Sequence, residues 1–463
     1  MTGLTTGFVA RAMRDRGYQV RAGPDLPISG GDADSRRIRP GQLFAAYPGD
    51  NTDGNRYIDS AFERGAVAAI CSAPPARAWP GKTIVIAADT TRAAGELGSA
   101  WRAACPRPRV VGITGTVGKT TCKEFTAAVL KEHFAAHWSE GGLNSRQGLP
   151  LAMLSLRPDH EVSVLEMGMD SKGEIAELCA MARPEFGVVL NIGLTHIEKL
   201  GTIEAIAEEK LSLPRALPPT GVAVLNADDP RIAAAIPGLP CRVMTFGRDQ
   251  GAALPRPMYT YSSVKSYGLD GTRFFVSTAA RSARVRSAIA GEHTIPGAVA
   301  ALCVAVALGI DLSDAARSLS TSGVTGRTRT IPGFNGSTLI DDRYNASPAS
   351  VRGALETLKR LGPRRIALLG KMAELGPFEA EQHREAGRLA AESCDALFAV
   401  GEACRVLVEA AREAGLREAT WFADKDEAAA AVKAMLQPGD SVLLKASRSQ
   451  EFETIIPTLE AAP

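Results

Sequence analysis

Arg109-Val110-Val111-Gly112-Ile113-Thr114-Gly115-Thr116-Val117-Gly118-Lys119-Thr120-Thr121 is the stretch on which the reading of this chain turns. An apolar β-branched run feeds a glycine-rich turn. The turn ends in Gly-Lys-Thr, and a helical pattern, Lys123 to Leu130, follows. Strand, glycine turn and helix in that order cradle phosphate: the glycines let backbone N–H groups converge on anionic oxygens, and the helix N-terminus adds partial positive charge. Lys119 is placed to reach the terminal phosphates of a nucleotide and the Thr120 hydroxyl to ligate Mg²⁺. The generic spacing asks for glycine five residues before Gly118, where Ile113 stands; the glycines fall at 112 and 115 instead. Many strand-to-helix turns carry glycine without a nucleotide, but Gly-Lys-Thr-Thr in this setting is specific.

Around this motif the composition bounds the possibilities. A chain of 463 residues is too long for one core and implies about three domains. A net charge of +2 argues against a nucleic-acid partner. Arg36, Arg37 and Arg39 form a small basic patch that reads, from charge alone, as a solvated turn. The eight cysteines form no Cys-x-x-Cys pair, so we expect free thiols in a reducing cytoplasm rather than a disulfide or zinc framework. No basic region precedes a long apolar run at the N-terminus, and no secretory signal is expected. The apolar stretch Ala298 to Ile310 is too short to span a membrane and reads as a core helix.

Texture divides the chain into residues 1–105, 106–325 and 326–463. The first carries short strands and helices (Gln42 to Tyr47, Val67 to Cys71 and Thr83 to Ala87 as strands; Tyr57 to Arg64 and Thr91 to Ala104 as helices) and ends at Cys105-Pro106-Arg107-Pro108. The second alternates short apolar strands with helices, as a parallel sheet buried on both faces requires, with hairpins expected over Met258 to Val276. The third repeats the βαβ rhythm: Ile366 to Leu369, Ala396 to Val400 and Ser441 to Leu444 read as strands of a second doubly wound unit. The fold class is α/β.

Three further residues extend the phosphate loop into a candidate metal–nucleotide site. Glu166 closes the strand Val162 to Leu165, and strand carboxyl ends face the ligand crevice in such sheets. His196 follows the run Val188 to Thr195, again just past a strand end. Lys210 lies with Ile203, Ile206 and Ala207 on the apolar face of a helix expected over Thr202 to Leu211. An unpaired buried ammonium costs several kcal/mol, so Lys210 either snorkels to water or is modified or enters the site. Asn226 to Pro230 and Leu339 to Pro348 place further polar groups after strands, each readable as a solvated turn.

Together these residues resemble the Mur ligases, ATP-dependent amide ligases of peptidoglycan precursor synthesis. The family's T-G-T-x-G-K-T matches Thr114 to Thr120 and accounts for the displaced glycine. Asp34-Ser35-Arg36, Gly142-Leu143-Asn144-Ser145, Glu166-Met167-Gly168, His196-Ile197-Glu198, Asp341-Asp342 with Tyr344-Asn345-Ala346, Met372-Ala373-Glu374-Leu375-Gly376 and Ser447-Arg448-Ser449 carry the likeness through nearly the whole chain. The tract from Met372 points to the member that joins D-alanyl-D-alanine to UDP-N-acetylmuramoyl-tripeptide.

The resemblance implies a three-domain architecture: a UDP-substrate domain, a central P-loop ATPase and a C-terminal Rossmann-like domain. It also implies roles. Ser35 and Arg36 would hold the UDP moiety. Gly115, Thr116, Gly118, Lys119, Thr120 and Thr121 would cradle ATP, with His293, Arg327 and Asp342 also at the nucleotide. Asn144, Asn345 and Arg448 would serve the peptide substrates. Thr120 and Glu166 would bind one Mg²⁺; His196 and a carbamylated Lys210 would bind a second. Lys119, Lys210, His196 and Asn144 would be the catalytic set. The partners implied are UDP-N-acetylmuramoyl-tripeptide and D-Ala-D-Ala, with no nucleic acid and no membrane span, and the enzyme implied is a cytoplasmic monomer.

The chain departs from the family at several places. The adenine segment H-N-x-x-N-x-x-A-A is here His293-Thr294-Ile295-Pro296-Gly297-Ala298-Val299-Ala300-Ala301, without either Asn. Asn55 stands where His is usual, Lys371 where Asp usually precedes Met, and Gly142 and Gln147 also differ. Two other readings stay open: a ligase of this type acting on another acid and amine, and a non-catalytic UDP-sugar-binding relative.

Overall fold

The computed structural model describes residues 3–49, 52–249, 257–324 and 329–461. Three sheets follow one another along the chain.

The first has strands β1 (Gln19–Arg21), β2 (Gly31–Asp32), β3 (Leu43–Ala45), β4 (Ala68–Cys71) and β5 (Thr83–Ile86) in the order β1-β5-β4-β3-β2. Only β1 runs antiparallel. The helix Thr90–Ala104 starts where the Asp89 side chain accepts the Arg92 N–H, and it packs Ala93, Leu97 and Trp101 onto this sheet. The same core takes in Leu151, Leu154 and Leu156 from the next segment. Trp101 Nε1 donates to the Leu156 carbonyl at 2.9 Å, and Tyr47 Oη to the Gln147 carbonyl at 2.8 Å. Cys105 to Pro108 therefore interrupts the sequence pattern, while the packing runs across it.

The central sheet holds β6 (Arg109–Thr114), β7 (Ala136–Trp138), β8 (Val162–Glu166), β9 (Phe186–Val189), β10 (Val222–Asn226), β11 (Arg242–Arg248), β12 (Tyr259–Ser266), β13 (Thr272–Ser277) and β14 (Ser282–Ser287). Their order is β14-β13-β12-β11-β10-β9-β6-β8-β7, parallel from β7 to β12, with the hairpin strands β13 and β14 antiparallel at one edge. The strand β6 is the pivot. Val111 and Ile113 face the helices Lys119–Leu130 and Ile295–Ala307; Val110 faces the opposite layer with Leu178, Val189 and Leu211. That two-sided burial is why β6 reads as an unbroken apolar run. Gly112 sits on the second face, where a Cβ would come within 3.0 Å of Met167 and Leu213 side-chain atoms.

The helix Ile295–Ala307 is fully enclosed from Ala298 to Ala305, as its all-round apolar sequence requires. Among the described residues no helix is long and apolar enough to cross a membrane. All eight cysteines are free, seven of them buried.

The third sheet comprises β15 (Arg329–Pro332), β16 (Thr338–Asp341), β17 (Arg365–Gly370), β18 (Ala396–Val400), β19 (Glu418–Phe422) and β20 (Ser441–Lys445) in the order β15-β16-β20-β17-β18-β19. All but β15 are parallel, and separate apolar clusters cover the two faces.

The helix expected to stop at Leu211 runs from Ile203 to Arg215 and includes Pro214. The buried side chains Leu211 and Leu213 hold this last turn down although proline supplies no N–H to it. The strand expected over Gln42 to Tyr47 is only Leu43–Ala45.

Candidate nucleotide and metal site

Neighbouring strands leave β6 in opposite directions of chain order, with β8 on one side and β9 on the other. Such a switch point opens a crevice at the strand carboxyl ends. Three loops converge there: residues 115–118 after β6, 167–170 after β8 and 190–196 after β9.

The phosphate loop is shaped by its neighbour. Asn191 accepts the Val117 N–H on Oδ1 at 2.9 Å and returns Nδ2 to the Val117 carbonyl at 3.1 Å. Gly193 N–H donates to Thr116 Oγ1 at 2.8 Å. Gly115, at φ +157°, lies so close to Leu190 that a Cβ would approach its Cβ to 2.9 Å. Gly118, at φ +83°, is the N-cap of the helix Lys119–Leu130 and offers no side chain to it. The first-turn amides of that helix thus have no side-chain acceptor at the cap and point where an anion would sit. Lys119 folds over the loop, its Nζ donating to the carbonyls of Gly115 at 2.8 Å and Thr116 at 3.2 Å.

Beside it, Thr120 Oγ1 donates to Glu166 Oε2 at 2.6 Å, and Asn144 Nδ2 donates to Glu166 Oε1 at 2.7 Å. Glu166 is buried at the end of β8, so these two donors compensate a carboxylate that burial alone would disfavour. A hydroxyl and a carboxylate oxygen side by side at the phosphate loop are the hard donors Mg²⁺ takes, so the residues fit that ion. Lys123, on the same helix and wholly buried, donates to the Ser139 carbonyl at 2.5 Å and so ties the chain before Asn144 to the phosphate-loop helix.

Lys210 is 2% exposed. Burial first, and the charge of Lys119 second, push its ammonium well below the ordinary lysine range. Its neighbour Glu209 turns away and accepts the Gly173 and Ile175 N–H groups at the start of the helix Glu174–Ala182. Snorkelling is therefore excluded.

His196 takes a left-handed conformation (φ +57°) and caps the short helix Ile197–Leu200. Its Nδ1 lies 2.6 Å from Glu374 Oε2 and 3.1 Å from Asp170 Oδ1, close to both carboxylates but without the alignment of a hydrogen bond. Lys199 also binds Asp170. The imidazole of His196 holds the Glu374 carboxyl below its usual range against the opposing effect of burial.

The other expected residues are placed as follows. Ser35 is buried at a single 3-10 turn; Arg36 is exposed and paired with Asp34 at 2.8 Å. Asn55 donates to Ser72 Oγ at 2.7 Å and accepts the Ser72 N–H at 3.0 Å, bracing a neighbouring loop. Asp342 pairs with the buried Lys445 at 2.6 Å, which also donates to the Asn345 carbonyl at 3.0 Å. Arg448 pairs with Glu453 at 2.8 Å. His293 stands against the C-terminal unit, where a Cβ on Gly353 would come 2.7 Å from its ring. Thr121 lies in the first turn of the phosphate-loop helix. Arg327 lies outside the described residues.

Sequence reasoning missed Asn191, Asp170, Lys123, Lys445 and Glu374 as parts of this arrangement. Asn191 carried the one available signal, a polar residue directly after an apolar strand.

Models of three Mur ligase domains match the chain: the family's catalytic domain over residues 27–110, its middle domain over 113–305 and its glutamate ligase domain over 326–448. The chain belongs to the Mur ligase family. It is 33% identical to the UDP-N-acetylmuramoyl-tripeptide–D-alanyl-D-alanine ligase of Bacillus subtilis, over 94% of both chains. It is 32% identical to the Escherichia coli protein of the same name, over 95% of both. A crystal structure of MurF from Acinetobacter baumannii superposes with a TM-score of 0.82 at 28% identity, covering 98% of each chain. The MurF ligase from Thermotoga maritima, solved in complex with ADP, gives 0.74 at 27% identity, covering 93% of this chain and 96% of that one.

Proposed function

We propose that this protein is the ATP-dependent, ADP-forming ligase that joins D-alanyl-D-alanine to UDP-N-acetylmuramoyl-tripeptide in peptidoglycan precursor synthesis. The observation that carries the reading is the Thr120–Glu166 pair beside Lys119 at the switch point of the central sheet, in a chain that matches ligases of that name over 94–95% of its length.

Amide formation in water is uphill, and the carboxylate must first be activated. A tripeptide carboxylate oxygen attacks the γ-phosphorus of ATP, the bond to the bridging oxygen breaks, and ADP leaves. The dipeptide amine then attacks the acyl carbon; phosphate departs and the ammonium proton is lost. Lys119 and the amides of residues 115–121 bind the phosphate oxygens and hold the transferring group in line. Bound at Thr120 and Glu166, Mg²⁺ would supply Lewis-acid neutralisation of phosphate charge. Asn144, fixed on Glu166, orients that carboxylate and would help hold the incoming peptide carboxylate at the γ-phosphate.

We assign residues 1–105 to the UDP substrate through Ser35 and Arg36, residues 106–325 to ATP, and residues 326–463 to nucleotide and dipeptide through Asp342, Asn345 and Arg448. His293 and Arg327 complete the nucleotide set. At Lys210 the finer assignment is a carbamate serving a second Mg²⁺ with His196. Its support is the burial of the Lys210 amine, which disfavours the ammonium and so favours the neutral form that captures CO₂. We place the enzyme in the cytoplasm as a monomer.

The test is release of ADP with UDP-N-acetylmuramoyl-tripeptide and ATP, with and without D-Ala-D-Ala. Release only with all three supports the reading. Release with a different acid or amine alone would replace the substrates, and no turnover with any would leave a binding protein.

A further inference from the structure

Glu374 belongs to the tract after β17, yet its carboxylate meets His196, which follows β9. Four further contacts join the same two regions. Phe378 packs on the apolar cluster of the central unit, and Leu194 packs on that of the C-terminal unit. The Glu198 N–H faces the Glu374 carbonyl at 3.4 Å. Gly376, at φ +49°, leaves so little room that a Cβ would stand 3.3 Å from Glu198 Cα.

The backbone at both partners is unusual. Six described residues other than glycine have positive φ, and His196 (+57°) and Glu374 (+62°) are two of them. Left-handed backbone at a branched or long side chain costs of order 1 kcal/mol or more and persists where the surroundings enforce it. Here two such residues face each other across one interface and aim their side chains together.

We propose that Glu374 is a positioning residue of the ligation reaction: delivered by the C-terminal unit, it fixes His196 and so couples docking of that unit to assembly of the site in the central one. The proposal rests on the ligase reading above. Asp170, itself engaged by Lys199, supplies the central unit's own carboxylate to the imidazole, and Glu374 adds the one that arrives only with docking. A contact of this kind raises turnover without contributing to the affinity for ATP or UDP substrate, since neither is expected to touch it.

The test compares wild type, Glu374→Gln and Glu374→Asp by steady-state kinetics and by amide hydrogen exchange over residues 194–201. In Glu374→Gln, kcat should fall about tenfold or more with KM for ATP and UDP-tripeptide within about twofold. Glu374→Asp should recover part of kcat. In wild type, ATP, Mg²⁺ and UDP-tripeptide together should slow exchange over 194–201, and Glu374→Gln should lose that protection. Glu374 is 41% exposed, so both variants should melt as wild type does. Wild-type kcat in Glu374→Gln, a rise in KM at constant kcat, or unchanged protection would each overturn the proposal. If wild type itself releases no ADP with these substrates, the ligase reading fails, and the exchange comparison with ATP and Mg²⁺ alone still decides the role of Glu374.

Discussion

Thr120 Oγ1 stands 2.6 Å from Glu166 Oε2, joining the first turn of the phosphate-loop helix to the carboxyl end of the next strand but one. The parallel register of β6 and β8, with Ile113 opposite Glu166, is what sets the two at the same height. Glu166→Gln keeps the shape and removes the charge. It should lower turnover by about a hundredfold or more and raise the Mg²⁺ concentration needed for half-maximal rate. A magnesium titration of ADP release at saturating ATP checks this; an unchanged titration would move the metal elsewhere.

Lys119→Ala should abolish ATP turnover and leave the fold intact. Its Nζ donates to the carbonyls of Gly115 and Thr116, so its loss removes a charge clamp worth roughly 3 kcal/mol in such chemistry and little apolar packing. Circular dichroism and melting should match wild type while ADP release disappears.

Arg448→Ala should reduce turnover but barely change the affinity for the UDP substrate. Arg448 follows β20 and pairs with Glu453 of its own unit, whereas Ser35 and Arg36 lie on the first sheet's loops. Calorimetric titration of UDP-tripeptide into the variant checks the division; parallel losses of affinity and turnover contradict it.

Lys210→Ala should lose most activity, and a short carboxylic acid in solution should restore part of it by taking the place of the carbamate. Wild type prepared in ¹³C-bicarbonate should show a carbamate carbon resonance that the variant lacks. An active alanine variant with no such resonance would return Lys210 to a packing role.

His137 gives a pH prediction away from the site. It is buried between β8 and the helix Gly148–Met153, with Nδ1 2.8 Å from Ser163 Oγ, and burial pushes its pKa down to about 3. The unfolded chain binds a proton near pH 6.5, where the folded one does not, so stability falls as pH drops from that value toward 3. At pH 5 this one group should cost about 2 kcal/mol relative to pH 7.5. His137→Gln should remove that increment from the acid-side slope in urea unfolding at pH 5 and 7.5; identical slopes would mean the imidazole protonates in place.

What the sequence determined by itself was local and periodic. Arg109 to Thr121 specifies strand, turn and helix within one short window, because apolar β-branched residues, glycines and Gly-Lys-Thr each restrict the backbone independently. Apolar strands buried on both faces, the enclosed helix from Ile295 and the βαβ rhythm after residue 326 are legible for the same reason. Glu166 and Lys210 also announced themselves, one by ending a strand and the other by breaking an apolar helix face. The tertiary structure alone decided who meets whom. Asn191 shapes the phosphate loop because β9 lies beside β6, an adjacency that strand order sets and spacing in sequence does not. Leu151, Leu154 and Leu156 complete the first core although they follow the linker, since burial depends on where a helix docks. His196 meets Glu374 because two units close on each other, and no local pattern encodes a contact between loops that far apart in the chain: its free energy exists only once both units have folded.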